Sequence, residues 1–147
     1  PQGIPPQLES KAYVALIPYD PDDDITSFGG TMINGWINTA TRVCGTFGIR
    51  VDTIKPFIEP VVFESDMTGR PYMRFTIGDD IPTSGRAKGL NYEATVDGKW
   101  ILMEYDAKND RLTHWFDEQI GAGEHLLRII VRDDRNNIST FEGRFLR

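Results

Sequence analysis

Apolar and polar residues alternate along most of this chain, which is the pattern of half-buried β-strands. From residue 57 onwards, the alternation recurs in short segments that end in turns rich in Gly, Asp or Asn. The segments are 57–64, 72–77, 90–96, 99–105, 111–116, 125–132 and 138–146. The strongest hairpin signal is Asp97-Gly98, because both residue types tolerate a positive φ. Seven short strands separated by such turns predict an immunoglobulin-like antiparallel sandwich over residues 55–147.

The first third of the chain follows a weaker form of the same pattern. Residues 11–19, 31–33, 36–44 and 47–51 predict four short strands, which form a small antiparallel sheet module over residues 8–52. The Pro-rich residues 1–7 predict an extended lead-in. At 52–56 (DTIKP), Pro56 lacks a backbone donor and restricts Lys55 to extended conformations, so one sheet ends there and the next begins. The predicted fold class is therefore all-β, with two modules.

Two side chains are predicted to be buried from their strand context. Cys44 follows Val43 inside the segment 36–44, which favours an inert, buried thiol over a nucleophile. The segment 99–105 has apolar residues in both alternating sets, so it predicts a central strand that packs Trp100 on one face. Of the three tryptophans, Trp115 is the one expected to be most exposed.

Composition narrows the class of protein. Of the 147 residues, 39% are hydrophobic and 26% are charged, which is typical of a globular chain. No apolar run reaches the length of a transmembrane segment, and no signal peptide is visible. The net charge of −6 and the absence of a basic cluster that would form one face argue against nucleic acid as a partner. The start PQGIPP looks like a cut within a longer precursor.

Several segments carry a resemblance to a known family. The chain, over residues 5–147, is similar to the C-terminal β-rich extension of large envelope peptidases of Gram-negative bacteria, which carry a lysostaphin-type zinc peptidase domain upstream. The segments that resemble this Ig-like extension are 52–56 (DTIKP), 75–80 (FTIGDD), 92–101 (YEATVDGKWI), 124–131 (EHLLRIIV) and the turn 133–137, together with Pro5-Pro6, 11–16 and 45–47.

The resemblance implies an exported protein, periplasmic or at the cell surface, whose partner is the upstream peptidase domain of the same chain. Lysostaphin-type sites hold zinc with a His and an Asp in one motif and a His-x-His pair in another. This chain has only His114 and His125 and no His-x-His pair, so no catalytic residues are predicted. The predicted function is a non-catalytic accessory or spacer region that positions the peptidase. The alternative is an adhesin-like or carbohydrate-binding Ig-like module that binds a glycan such as peptidoglycan, or a protein.

Aspartates collect at the turns that the predicted topology places at one end of the sandwich. The candidate ligands of a calcium ion are Asp52, Asp79, Asp80, Asp133 and Asp134, with Asp106 and Asp110 in a further turn at that end. Calcium prefers six to eight oxygen ligands, which carboxylates from several turns can supply. The alternative is that these side chains only cap their own turns by accepting bonds from backbone amides.

Aromatic residues offer a second candidate site. Trp36 and Trp115 are predicted to bind a sugar, because planar rings stack on the apolar faces of sugars. The alternative is that the aromatic residues only pack in the core or across strands. An exposed aromatic row on one sheet would favour binding, whereas a polar surface with every Trp buried would favour the spacer.

Overall fold

The computed structural model describes residues 3–147, so the first two residues of the predicted lead-in lie outside the described part. The fold is all-β with antiparallel sheets, as predicted. The strands are β1 (Ala12–Ile17), β2 (Thr26–Ser27), β3 (Thr31–Ile33), β4 (Trp36–Asn38), β5 (Thr46–Val51), β6 (Phe57–Val62), β7 (Tyr72–Gly78), β8 (Asn91–Val96), β9 (Lys99–Trp100), β10 (Glu104–Asp106), β11 (Arg111–Trp115), β12 (Glu124–Arg132) and β13 (Ile138–Leu146).

A short 3-10 helix, Pro6–Lys11, precedes β1. Residues 6 and 7 therefore do not continue an extended lead-in, because the rings of Pro5 and Pro6 fix φ at values that a helical turn accepts. Among residues 3–147, no helix combines the length and apolar character that crossing a bilayer requires.

The chain divides into two compact units. The N-terminal unit contains the described residues up to Lys55 together with Asp79–Asn91 and Arg132–Asn137, and the sandwich unit contains Pro56–Gly78, Tyr92–Val131 and Ile138–Arg147. The N-terminal unit thus includes two later segments besides the predicted module of residues 8–52.

The N-terminal unit contains a three-stranded sheet in the order β2-β1-β5 and a separate hairpin, β3-β4. β2 was not predicted, and the predicted strand 36–44 ends at Asn38. Beyond Asn38, the Thr41 hydroxyl accepts a bond from the Val43 amide at 3.1 Å, which gives the backbone an alternative to strand pairing. Cys44 lies outside any strand and is exposed, so its predicted burial is wrong.

Backbone bonds explain why Asp79–Asn91 belongs to the N-terminal unit. The Ser27 amide donates to the Pro82 carbonyl, and the Ser84 amide donates to the Ser27 carbonyl, both at 2.8 Å. Gly85 has φ +63, and a Cβ added there would meet the Phe28 ring at 2.7 Å, so glycine permits this close approach. The loop is therefore held by the residues just before β3.

The sandwich unit has two four-stranded sheets, in the orders β10-β11-β7-β6 and β13-β12-β8-β9. This arrangement is sandwich-like and is compatible with an immunoglobulin topology. The side chains predicted to face inward from β7 and β12 are fully buried: Met73, Phe75, Ile77, Leu127, Ile129 and Val131. The core of this unit is therefore apolar and was predicted from the period-two pattern.

The predicted strand 99–105 is two strands instead of one. β9 pairs with β8 at the edge of one sheet, and β10 pairs with β11 at the edge of the other. Ile101 and Met103 are buried between them, whereas Trp100 and Leu102 are exposed. The segment is apolar in both alternating sets because the chain crosses between sheets there, so the prediction of a central strand is wrong.

The hairpin predicted at Asp97-Gly98 is confirmed. Val96 pairs with Lys99 across the two-residue turn Asp97-Gly98, whose φ values are 52 and 76, as a type I′ hairpin requires. Pro60 lies on β6, which is an edge strand, next to a register shift between Pro60 and Val62. Proline is tolerated there because an edge strand needs fewer backbone donors.

Candidate functional site

A groove in the sandwich unit lies where the chain crosses from β9 to β10. It has a volume of about 230 Å³, and we call it the tryptophan groove. Its exposed apolar side chains are Trp100, Leu102 and Trp115, which are 63%, 59% and 52% exposed. The other lining residues are Ile101, Glu104, Thr113, His114, Asp117 and Gln119. The groove thus combines two indole rings with carboxylate and amide groups.

Trp115 is held in place by its neighbours. Its indole Nε1 donates to Glu104 Oε2 at 3.2 Å, and its ring lies edge-to-face on Tyr72, with centroids 5.0 Å apart. Arg74 lies 4.5 Å from the centre of the Tyr72 ring and donates to the Thr113 hydroxyl at 3.1 Å. The orientation of Trp115 is therefore set by a hydrogen bond and by aromatic packing.

His114 contributes a buried acceptor to the lining of the groove. Its Nδ1 lies 2.8 Å from the Leu102 carbonyl, which can only accept, so Nδ1 carries the proton. In the neutral ring Nε2 is then an acceptor, and it is buried without a partner among residues 3–147. A buried polar atom in this state is costly.

The exposure of Trp100 could have been read from the sequence. Ala94 and Val96 face the core, so Thr95 faces outward on β8. The two-residue turn pairs Thr95 with Trp100, and directly paired residues share a face of the sheet. Sequence reasoning missed this residue because it treated 99–105 as one central strand.

The other predicted sugar-binding residue, Trp36, is 75% exposed. It lies on β4 in the N-terminal unit and is not among the residues that line the tryptophan groove. Trp115 is exposed as predicted, but it is the least exposed of the three tryptophans. All three tryptophans are exposed, so the condition for a spacer role, burial of every Trp, is not met. They belong to three different sheets, so they do not form an aromatic row on one sheet either.

The second candidate site is an aspartate triad in the N-terminal unit. The structure brings together Asp52, Asp79 and Asp133, with one carboxylate oxygen from each within 4.8 Å of the others. Asp52 and Asp133 are buried, and Asp79 Oδ1 is buried without a hydrogen-bond partner among the described residues. Three carboxylates at this separation can hold either a cation or a proton.

Two of the three carboxylates also accept bonds from the protein. Asp133 Oδ1 accepts from the Arg135 and Asn137 amides at 2.7 and 2.8 Å, and its Oδ2 accepts from Asn137 Nδ2 at 2.7 Å. Asp52 Oδ1 accepts from the Ile54 amide at 2.9 Å. The turn-capping alternative therefore describes Asp133 and Asp52 well, whether or not a cation binds.

Crowding of negative charge changes the acidity of the triad. Burial, followed by the charges of Asp133, Asp52 and Asp80, raises the pKa of Asp79 to about 7. Burial is also the largest cause that raises the pKa of Asp52, and the Ile54 amide opposes it. The triad therefore takes up a proton within the physiological range, since three ionised carboxylates repel one another.

The remaining predicted calcium ligands lie outside the triad. Asp80 is exposed. Asp134 accepts from the Arg135 guanidinium and from the Lys88 amide, each at 2.7 Å. Asp106 belongs to the sandwich unit and accepts from the Lys108 amide within its own turn at 3.0 Å. Of the five predicted ligands, three meet, and calcium binding stays a prediction.

The two histidines have no shared role. His125 Nδ1 lies 2.7 Å from Asp97 Oδ2, and its Nε2 lies 3.0 Å from the Gly121 carbonyl. Both partners are hydrogen-bond acceptors, so both nitrogens of His125 donate. The hydrogen bond to Asp97 is the largest cause that raises the pKa of His125. Neither nitrogen of His125 is free to bind a metal ion in this arrangement.

No protein-family model and no curated protein matches this chain. The resemblance to the C-terminal extension of lysostaphin-type peptidases therefore stays a prediction that rests on the segments given above.

Proposed function

We propose that this chain is a non-catalytic module that binds a glycan in the tryptophan groove. The observation that carries the proposal is that Trp100 and Trp115 line one groove while each is more than half exposed. Large aromatic side chains that share an exposed concave surface are typical of binding sites. Their planar faces suit the apolar faces of sugar rings.

The polar lining suits the hydroxyl groups of a sugar. Glu104 and Asp117 accept hydrogen bonds, and Gln119 can both donate and accept. The groove, about 230 Å³, is smaller than the pockets of about 300–1,000 Å³ that enclose whole small ligands. It therefore suits one segment of a longer glycan chain that extends beyond both ends.

The bonds that hold Trp115 also favour binding. Its contacts with Glu104 and Tyr72 fix the indole before any ligand arrives. A side chain that is already ordered loses little conformational freedom on binding, so more of the contact energy contributes to affinity.

A pull-down with insoluble peptidoglycan tests the proposal, with three single substitutions. Trp100→Ala and Trp115→Ala should each lower the retained fraction at least about tenfold, because both remove a stacking surface. Trp36→Ala is the matched control, since Trp36 is also exposed but lies in the other unit. The proposal fails if the unsubstituted protein is not retained, or if Trp36→Ala lowers retention as much as the groove substitutions.

Glycan binding is consistent with the predicted role as an accessory region of an exported envelope peptidase. A module that binds the cell wall would position an upstream catalytic domain against its substrate, at the periplasmic or cell surface. This setting rests on the sequence resemblance and is independent of the groove. Reading the gene upstream of Pro1 tests it, because the setting requires a His-x-His motif in the preceding domain.

A further inference from the structure

The N-terminal unit contains a second concave surface, a cavity of about 620 Å³ that we call the cationic cavity. It is lined by residues 30–31, 38–40, 86, 88–89, 91 and 132–136, all within that unit. Its volume falls in the range of about 300–1,000 Å³ that is typical of ligand pockets. Its charged residues are Arg86, Lys88, Arg132, Arg135, Asp133 and Asp134.

The two acidic residues of the lining are already engaged within the protein. Asp133 is buried, and both of its oxygens accept bonds from residues of its own turn. Asp134 accepts from the guanidinium of Arg135 and from the Lys88 amide. These carboxylates therefore have few lone pairs left for a ligand, and the charge of Asp134 is balanced by the Arg135 guanidinium.

Three of the cationic side chains that line the cavity form no ion pair within residues 3–147. They are Arg86, Lys88 and Arg132, and all three are exposed. They gather around one cavity on a chain whose net charge is −6. Salt screens exposed charges over about 8 Å, and a ligand inside the cavity would meet all three cations that line it. The cavity therefore attracts anions although the chain as a whole repels them.

The base of the cavity is ordered by hydrogen bonds. The Arg135 guanidinium donates to the Ala12 and Gly30 carbonyls at 2.7 and 3.0 Å. Lys11 Nζ donates to the Arg135 carbonyl at 2.8 Å and to Asn137 Oδ1 at 2.7 Å. These bonds fix the turn that carries Arg132 to Asn136, so a ligand would meet a surface that is already formed.

Neutral donors and acceptors complete the lining. Asn38, Asn91 and Asn136 supply amide groups, and Thr31 supplies a hydroxyl. Amides and hydroxyls suit the hydroxyl groups of a sugar, whereas guanidinium groups bind phosphate, sulfate or carboxylate through paired bonds. We propose that the cationic cavity binds an anionic saccharide, which is a polyhydroxylated ring that carries phosphate, sulfate or carboxylate groups. This site is separate from the tryptophan groove and does not depend on it.

Titration calorimetry with the full chain tests the proposal, with sucrose octasulfate as the probe. The unsubstituted protein should bind this probe and should not bind plain sucrose. The triple substitution Arg86→Gln, Lys88→Gln and Arg132→Gln should weaken binding at least about tenfold, because it removes the unpaired cations of the lining. Since all three residues are exposed, the melting temperature should stay unchanged.

The matched control is the triple substitution Lys108→Gln, Arg111→Gln and Arg144→Gln, which changes the net charge equally at exposed residues of the sandwich unit. It should leave affinity for the probe unchanged, as should Trp115→Ala. Equal weakening by both triple variants would overturn the site, since it would show a response to net charge alone. Inorganic phosphate that binds as tightly as the sulfated sugar would overturn the saccharide assignment, and absence of binding would overturn the proposal.

Discussion

The two units bury different chemistry. In the sandwich unit, the largest fully buried side chains are apolar, and the Phe63 ring lies 5.4–5.9 Å from the rings of Phe75, Phe141 and Phe145. In the N-terminal unit, the buried residues include Asp52, Asp133 and Asn137. This difference indicates that filling of the apolar core governs the stability of the sandwich unit. In the N-terminal unit, stability depends on whether the buried polar groups form hydrogen bonds and on whether the aspartates bind a proton.

The largest expected effect comes from emptying the apolar core. Phe75→Ala should lower the free energy of unfolding by about 3–5 kcal/mol, because Phe75 is fully buried and its ring lies 5.0 Å from that of Phe141. Urea denaturation measures the change. Phe57→Ala is the control, since Phe57 is 45% exposed and should cost far less. Equal losses for both would show that burial does not set stability in this unit.

The next effect concerns the polar interior of the N-terminal unit. Asp133→Ala should lower the free energy of unfolding by about 2–4 kcal/mol, because three donors on Arg135 and Asn137 lose their acceptor. Asp133→Asn keeps one oxygen for the two backbone amides and should lose about half as much. Urea denaturation of both variants measures the two losses. An unchanged free energy of unfolding in Asp133→Ala would show that Asp133 has no structural role.

The core strands of the sandwich unit could be predicted from the sequence. The strands of the sandwich follow from local alternation, which depends only on which face of each strand is buried. The crossing at residues 100–104 breaks that rule, because its exposed and buried residues are both apolar. The triad was predicted in part, since turns gather at one end of a sandwich, but which aspartates meet depends on loop conformation.

The cationic cavity lay beyond sequence reasoning for a different reason. Arg86 and Lys88 lie far along the chain from Arg132, and no run of basic residues marks any of them. Only the folded N-terminal unit places the three side chains around one cavity. The prediction that no basic cluster exists holds for the sequence but not for the surface.

Calcium tests whether the triad takes a cation. A calcium concentration about ten times its dissociation constant should stabilise the folded state by about 1.4 kcal/mol, seen as a higher melting temperature that EGTA reverses. Asp79→Asn should abolish this gain by removing one of the three carboxylates. No change in the melting temperature at millimolar calcium would reject the predicted calcium site.

A smaller effect comes from the proton on the triad. The pKa of Asp79 is raised to about 7 in the folded state, above its ordinary value of 3.8, so the folded state binds the proton more tightly. Stability should therefore fall as the pH rises from about 4 to about 7. Asp79→Asn should raise the free energy of unfolding at pH 8 by about 1 kcal/mol, a value reduced for solvent screening. Thermal melts at several pH values measure it, and an unchanged pH profile would contradict the assignment.

The smallest effect lies in the sandwich unit. The hydrogen bond to Asp97 raises the pKa of His125, so the charged pair stabilises the fold below the ordinary His value and is lost as the pH rises through the folded pKa. Because Asp97 is half exposed, His125→Gln should cost about 0.5 kcal/mol at pH 6 and less at pH 9. Chemical denaturation of the variant at both pH values tests this, and equal losses would show that charge plays no part.

The division of the chain into units has a practical consequence for cloning. The backbone passes between the units five times, after Lys55, Gly78, Asn91, Val131 and Asn137. A fragment that ends at Lys55 would therefore lack two segments of the N-terminal unit, Asp79–Asn91 and Arg132–Asn137. A fragment that begins at Pro56 would contain these two segments without the rest of their unit. We therefore expect the N-terminal unit and the sandwich unit to fold into soluble products only when the whole chain is expressed as one polypeptide.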